Sequence, residues 1–272
     1  MRHDPTLGDV LKDIWRLKGF VAGGACLGGL IALGFLIFAV PQYKTTMLIG
    51  PAADNSLHFR PAALPDSGGG PPPRRTEEPS SDNFTRFYTI LQGRTVAAAL
   101  FPDEKIRRGI AADRPFRFSR PPSLSSPESL AAYLQKNIKI EPVGMTALKR
   151  VVYLHQDPAF GPYLLTRLQG AADRTIRVET QNRNAERITW LTGALARTLH
   201  PDHKKAIGLL LLEQEQIRMI LAMEEPFAAT VVEPAATGPR PYWPRKTLIT
   251  LASLAIGAFF GYLVGAARRP EV

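Results

Sequence analysis

Two stretches without one charged residue, Gly19–Tyr43 and Thr247–Ala267, constrain this chain more than any other feature. The wholly apolar part of the first is Gly19–Val40. At about 1.5 Å rise per residue, each run is long enough for a helix that crosses a hydrocarbon core roughly 30 Å thick. The first run also exceeds the roughly 7–15 apolar residues of a signal peptide, and no good small-x-small cleavage site precedes Gln42. The expectation is therefore two retained transmembrane helices, 19–40 and 247–267.

Basic residues lie near both tails: Arg2, Lys12, Arg16 and Lys18 in front, and Arg268 and Arg269 behind. Positive charge near a span favours the cytoplasm, whereas a long intervening domain is translocated largely regardless of charge. The expected topology puts both termini in the cytoplasm and residues 41–246 on the far side of a bacterial inner membrane, in the periplasm. The tails 1–18 and 268–272 are too short to fold.

The formal charge of +10 raises nucleic acid as a partner, but its distribution opposes this. Arg60, Arg86, Arg94, Lys136, Arg167 and Arg183 are scattered singly and form no stripe with interleaved aromatics. No nucleic-acid partner is expected; the charge reads first as a solvated basic surface, with attraction to an anionic polymer or lipid headgroups as the alternative. The only cysteine, Cys26, excludes an intrachain disulfide and a cysteine-rich zinc site.

Gly257, Gly261 and Gly265 recur every fourth residue on one face of the second span, and Gly24 and Gly28 share that spacing in the first. Small residues four apart let helices approach closely in lipid. These five are the expected helix-packing and oligomerisation residues, joining either the two spans of one chain or helices of different subunits.

Between the spans, Gln42–Gly50 reads as a strand, and 51–82 as a flexible insertion rich in proline, glycine and serine. Helical spacing resumes at Phe84, Phe87, Ile90 and Leu91, and continues through Val96 and Ala97 beyond Gly93. Ser125–Asn137 carries a serine cap and an early proline. Ile138–Val143 and Leu148–Leu154 alternate like the strands of a hairpin.

Asp157-Pro158 opens long helices over 157–225, broken near Pro201, with an apolar stripe of Ile207, Leu210, Leu211, Ile217 and Leu221. Phe227–Val232 reads as a returning strand. The proline-rich segment 234–244, with Pro239, Pro241 and Pro244, makes a stiff approach to the second span. The expected fold class is α+β: two transmembrane helices flanking an extracytoplasmic α/β domain with long extended helices.

Catalytic motifs are missing: no phosphate loop, no GxSxG elbow, no HExxH. His200, Asp202 and His203 surround Pro201 and read as a solvated turn; Asp157 reads as a helix cap. No catalytic residue, metal or cofactor is expected.

Several segments together resemble the polysaccharide co-polymerases, the Wzz-like chain-length determinants. They are LGDVLKDIWRLKGF and VPQYKTTMLI around the first span, FTRFYTILQGRTVAAAL, and IKIEPVGMTALKRVVYLHQDPAFGPYLLTRL. The last is VVEP followed by PRPYWPRK and the glycine-faced span. The resemblance implies a non-enzymatic homo-oligomer at the inner membrane that regulates the length, assembly or export of a surface polysaccharide (O-antigen, capsule or exopolysaccharide). The implied partners are a membrane polymerase or export machinery and the glycan. The chain ends soon after the second span, so the expectation is a form without the tyrosine kinase fused in some relatives. Two alternatives stay open: a subunit of a capsule-export complex, and an adaptor for a separately encoded kinase.

Overall fold

The computed structural model describes residues 18–52 and 79–267, with backbone alone considered for 79–81. The tails holding Arg2, Lys12, Arg16, Arg268 and Arg269, and residues 53–78 of the expected insertion with Arg60, lie outside the described residues.

The elements in chain order begin with α1 (Lys18–Phe38), β1 (Tyr43–Pro51), α2 (Pro79–Ile90), α3 (Arg94–Leu100) and α4 (Glu104–Ala112). Then come α5 (Pro127–Asn137), β2 (Ile138–Pro142), β3 (Lys149–His155), α6 (Phe160–Arg197), α7 (Pro201–Ala222), β4 (Ala229–Thr237) and α8 (Lys246–Ala267). Two compact units result. One holds α1, residues 113–121 and the chain from Gly238 through α8; the other holds residues 44–112 and 122–237. The fold is mixed α+β with long helices, flanked by two apolar helices.

In the larger unit the sheet order is β2-β3-β1-β4, so the outgoing β1 lies beside the returning β4. Their pairing is antiparallel, from Thr45 opposite Thr237 to Pro51 opposite Ala229. β2 and β3 form the expected hairpin, Ile138 opposite Tyr153, with Gly144 at φ 57° in its turn. That left-handed conformation suits a residue without a Cβ.

One core joins the sheet to the helices. β1 contributes Met47 and Ile49, β3 Val151 and Tyr153, and α6 a buried row of Leu164, Leu165, Leu168, Ala172 and Ile176. Burying each large apolar side chain stabilises by about 1.5–3 kcal/mol relative to exposure. Ser126 caps α5 through a reciprocal pair of bonds with Ser129, and Pro127 sits where its missing N–H has no helical partner anyway.

Several boundaries differ from the sequence reading: the first span ends at Phe38 and not Val40, and the long helices cover Phe160–Arg197 and Pro201–Ala222 within the expected 157–225. Pro51 ends β1, and α2 starts at Pro79, so the 51–82 insertion is trimmed at both edges. Proline is tolerated at a helix start, and Asp82 in the first turn complements the helix dipole. α4 was not expected at all. β4 runs on through Pro234 to Thr237, which shortens the 234–244 segment to 238–244. Pro234 lies on an edge strand at a register shift between Thr46 and Leu48, where no ladder N–H is required. Within the α7 stripe, Leu221 is buried and Ile207, Leu211 and Ile217 half-buried, but Leu210 is exposed. α7 packs chiefly on α6, and Leu210 lies off that contact.

Candidate functional site

α1 has 21 residues and α8 has 22, and only 11% of each apolar window is buried, unlike the core helix of a soluble domain. Leu27, Leu30, Ile31, Leu33, Leu251, Phe259 and Phe260 are exposed. Helices of this length and exposure match a hydrocarbon environment.

Where these two helices meet, glycine faces glycine. A Cβ on Gly24 would collide with the carbonyl oxygen of Gly257 and lie 2.8 Å from the Gly261 Cα. One on Gly28 would strike the Ser253 carbonyl and come within 3.2 Å of the Gly257 Cα. A Cβ on Gly257 would meet the Gly24 carbonyl, and one on Gly261 the Phe20 carbonyl. Gly265 is buried in the last turn of α8. By contrast, Gly19, Gly23 and Gly34 have open space at the Cβ position, and Gly29 meets only the tip of Leu254. The chain thus brings Gly24, Gly28, Gly257 and Gly261 together within itself. Such backbone proximity permits dense van der Waals contact and weak Cα–H···O bonds.

The proline segment is tied down at the same unit. The amide of Gln42 donates to the Trp243 carbonyl (2.8 Å), and the amide of Tyr242 to the Gln42 carbonyl (2.8 Å). Pro244 is buried behind a cis Trp243-Pro244 bond, whereas Pro239 and Pro241 are exposed. Residues 113–121, which the sequence reading passed over, fold back onto the end of α1. The Val40 amide donates to the Pro115 carbonyl and the Arg117 amide to the Phe38 carbonyl, each at 3.1 Å. Phe35, Phe116 and Trp243 meet edge to face at centroid distances of 5.5–6.1 Å, and Phe38 contacts Phe118 at 4.8 Å. The signal was present as alternating arginine and phenylalanine in RPFRFSR.

In the larger unit, Asp173 joins α6 to the start of β4. Its Oδ1 accepts from the amides of Phe227 (3.0 Å) and Ala228 (2.7 Å). Arg177, one turn on and 3.5 Å from Asp173, donates to the carbonyls of Leu221, Met223 and Glu225 and so satisfies the end of α7. Further along, the Asn184 amide donates to the Gln214 carbonyl at 3.0 Å and to its side chain at 3.3 Å, both groups buried.

Asp103 caps α4 through the amides of Lys105 (3.0 Å) and Ile106 (3.4 Å) and accepts from the Tyr163 hydroxyl at 2.7 Å. The Tyr163 hydrogen bond leads in holding its carboxyl below the ordinary 3.8. The two amides and Arg167 assist, and partial burial opposes them.

Several of the polar residues singled out in the sequence have structural partners. His200 is the N-cap of α7, its Nδ1 accepting from the Asp202 amide at 3.3 Å. Buried His155 accepts from the Asp157 amide at Nδ1 (3.0 Å), which leaves Nε2–H to donate to the Gly109 carbonyl (3.1 Å). Asp157 caps the turn before α6 through the Ala159 amide at 2.9 Å. Arg86 and Arg183 both pair with Glu179. Lys136 and Arg94 are exposed. Among the described residues, no group of three or more His, Cys, Asp or Glu side chains is placed to hold a metal ion.

No family model matches the chain, and no curated protein matches it. Among solved structures it is similar to a full-length bacterial polysaccharide co-polymerase, at 14% sequence identity and a TM-score of 0.46, over 97% of each chain. By its own elements the chain is an α+β domain carried between two helices long and apolar enough to cross a membrane.

Proposed function

We propose that this chain is a non-catalytic inner-membrane regulator of surface-polysaccharide chain length, with α1 and α8 as its membrane spans and the domain between them in the periplasm. The observation that carries the reading is the closed two-span arrangement. The chain leaves α1 as β1, returns as β4 alongside β1, and re-enters a helix whose glycines fit those of α1. The segments bounding that circuit, VPQYKTTMLI and VVEP to PRPYWPRK, are among those that resemble the co-polymerases.

In this account the glycine faces hold the two spans of one subunit together. Homo-oligomers then form through other surfaces, and the assembly gathers a polymerase or presents a surface to the growing glycan. No bond is made or broken by this chain. The test is gel analysis of the host's polysaccharide with and without the gene. Loss of the modal length supports the reading, and unchanged length and amount reject it.

One observation favours a second reading, a subunit of an export complex. α6 has 38 residues, about 57 Å of helix. Below Asp173–Arg177 it is backed mainly by α7, a shape suited to a tether. In that case deletion traps full-length polymer inside the cell without altering its length distribution.

A further inference from the structure

The unit holding α1 and α8 carries a cationic surface that chain-length control does not require. Arg114, Arg117, Arg120, Arg240, Arg245 and Lys246 are all exposed. None of the six forms an ion pair with a described carboxylate. They belong to the segments bonded to the end of α1 and the start of α8: Arg117 through its amide to Phe38, and Arg245 and Lys246 at the first turn of α8. Rings alternate with them. Phe116 and Trp243 pack on Phe35, and Phe118 is 76% exposed beside Phe38.

We propose that this collar binds the phosphate of anionic phospholipid headgroups in the leaflet that α1 leaves and α8 enters. Guanidinium groups match phosphate oxygens in charge and in fork geometry. Tryptophan and tyrosine favour the membrane–water boundary, and Trp243 and Tyr242 fall where the apolar runs stop. A soluble acidic glycan would explain the arginines but not a bare Phe118 next to the last turn of a span. Basic residues beside spans are also disfavoured on a translocated side, so a ligand there supplies what the insertion bias does not. The proposal rests on α1 and α8 crossing a membrane and is independent of the polysaccharide role.

The test uses the full chain with Trp15→Phe and Trp190→Phe, leaving Trp243 as the sole tryptophan of three. It is reconstituted in vesicles of phosphatidylcholine with phosphatidylglycerol, one of the two brominated on its chains, at equal mole fractions. Brominated phosphatidylglycerol should quench Trp243 roughly twofold more than brominated phosphatidylcholine. Changing the six basic residues to glutamine should equalise the two lipids while quenching itself persists. Changing only Arg114, Arg117 and Arg120 should give an intermediate ratio. Inorganic phosphate in the buffer should leave the preference in place. Equal quenching in the unaltered collar overturns the proposal, as does removal of the preference by inorganic phosphate. Equal quenching accompanied by saturable binding of soluble polygalacturonate overturns it in favour of an acidic glycan. Absence of quenching by either lipid overturns it together with the membrane reading beneath it.

Discussion

At the scale of single residues, the glycines divide into those with a backbone against them and those without. Gly261→Leu puts a branched side chain into the Phe20 carbonyl and the Gly24 Cα, whereas Gly34→Leu enters open space. Overpacking of this kind costs about 1–3 kcal/mol. Thermal unfolding in detergent should therefore show a clear loss for Gly261→Leu and little for Gly34→Leu; equal effects would contradict the packing role. Asp173→Ala strips the Phe227 and Ala228 amides of their acceptor and Arg177 of its ion-pair partner, a loss of about 1–3 kcal/mol or more. Chemical denaturation would register it as a lower midpoint.

Asp103 sets a pH effect at the same scale. Its folded pKa lies below the unfolded one, so its stabilisation is complete above the ordinary 3.8 and is lost as pH falls through the lower folded value. Asp103→Asn should flatten that acid limb; an unchanged pH profile contradicts the assignment. The glycine faces were legible in the sequence because helical spacing alone puts residues four apart on one side. Asp173 and Arg177 were not legible. An aspartate four residues before an arginine looks like any surface pair, and its decisive partners are 54 and 55 residues away.

Among the elements, those with a strong local period were readable. α1, α8, the β2–β3 hairpin and the α6–α7 break at Pro201 all follow from apolar spacing, turn residues or proline. α4 escaped notice because Ile106 and Ile110 are its only buried residues and its start signal, Asp103 before Glu104, is short. β4 was read as ending at Val232, with Pro234 opening the stiff segment; its place at the sheet edge lets the strand run on through that proline to Thr237. Which strands are neighbours depends on long-range pairing that no local pattern encodes.

The α6–α7 hairpin depends on sparse contacts. α7 buries only Gln214 and Leu221, and Leu199 in the connecting loop is 92% exposed. Elements with so little buried apolar surface open at low free energy. Asn184→Ala leaves the Gln214 carbonyl and side chain without their donor. Hydrogen exchange should accelerate across α7 and stay slow in β1 and β3. Uniform acceleration would mean that the pair supports the whole domain and not the hairpin.

For the molecule as a whole, α1 and α8 are long and apolar enough to cross a membrane, and the α+β domain lies between them in the chain. The glycine contacts fix the helices to each other, and the β1–β4 pairing fixes the two ends of the domain to each other. The central claim is control of polysaccharide length, and the size distribution of the surface glycan tests it most directly. Gels of the deletion strain should lose the modal length. The unaltered gene should restore it, and Gly261→Leu should restore it poorly. A distribution identical in length and amount with and without the gene contradicts the account.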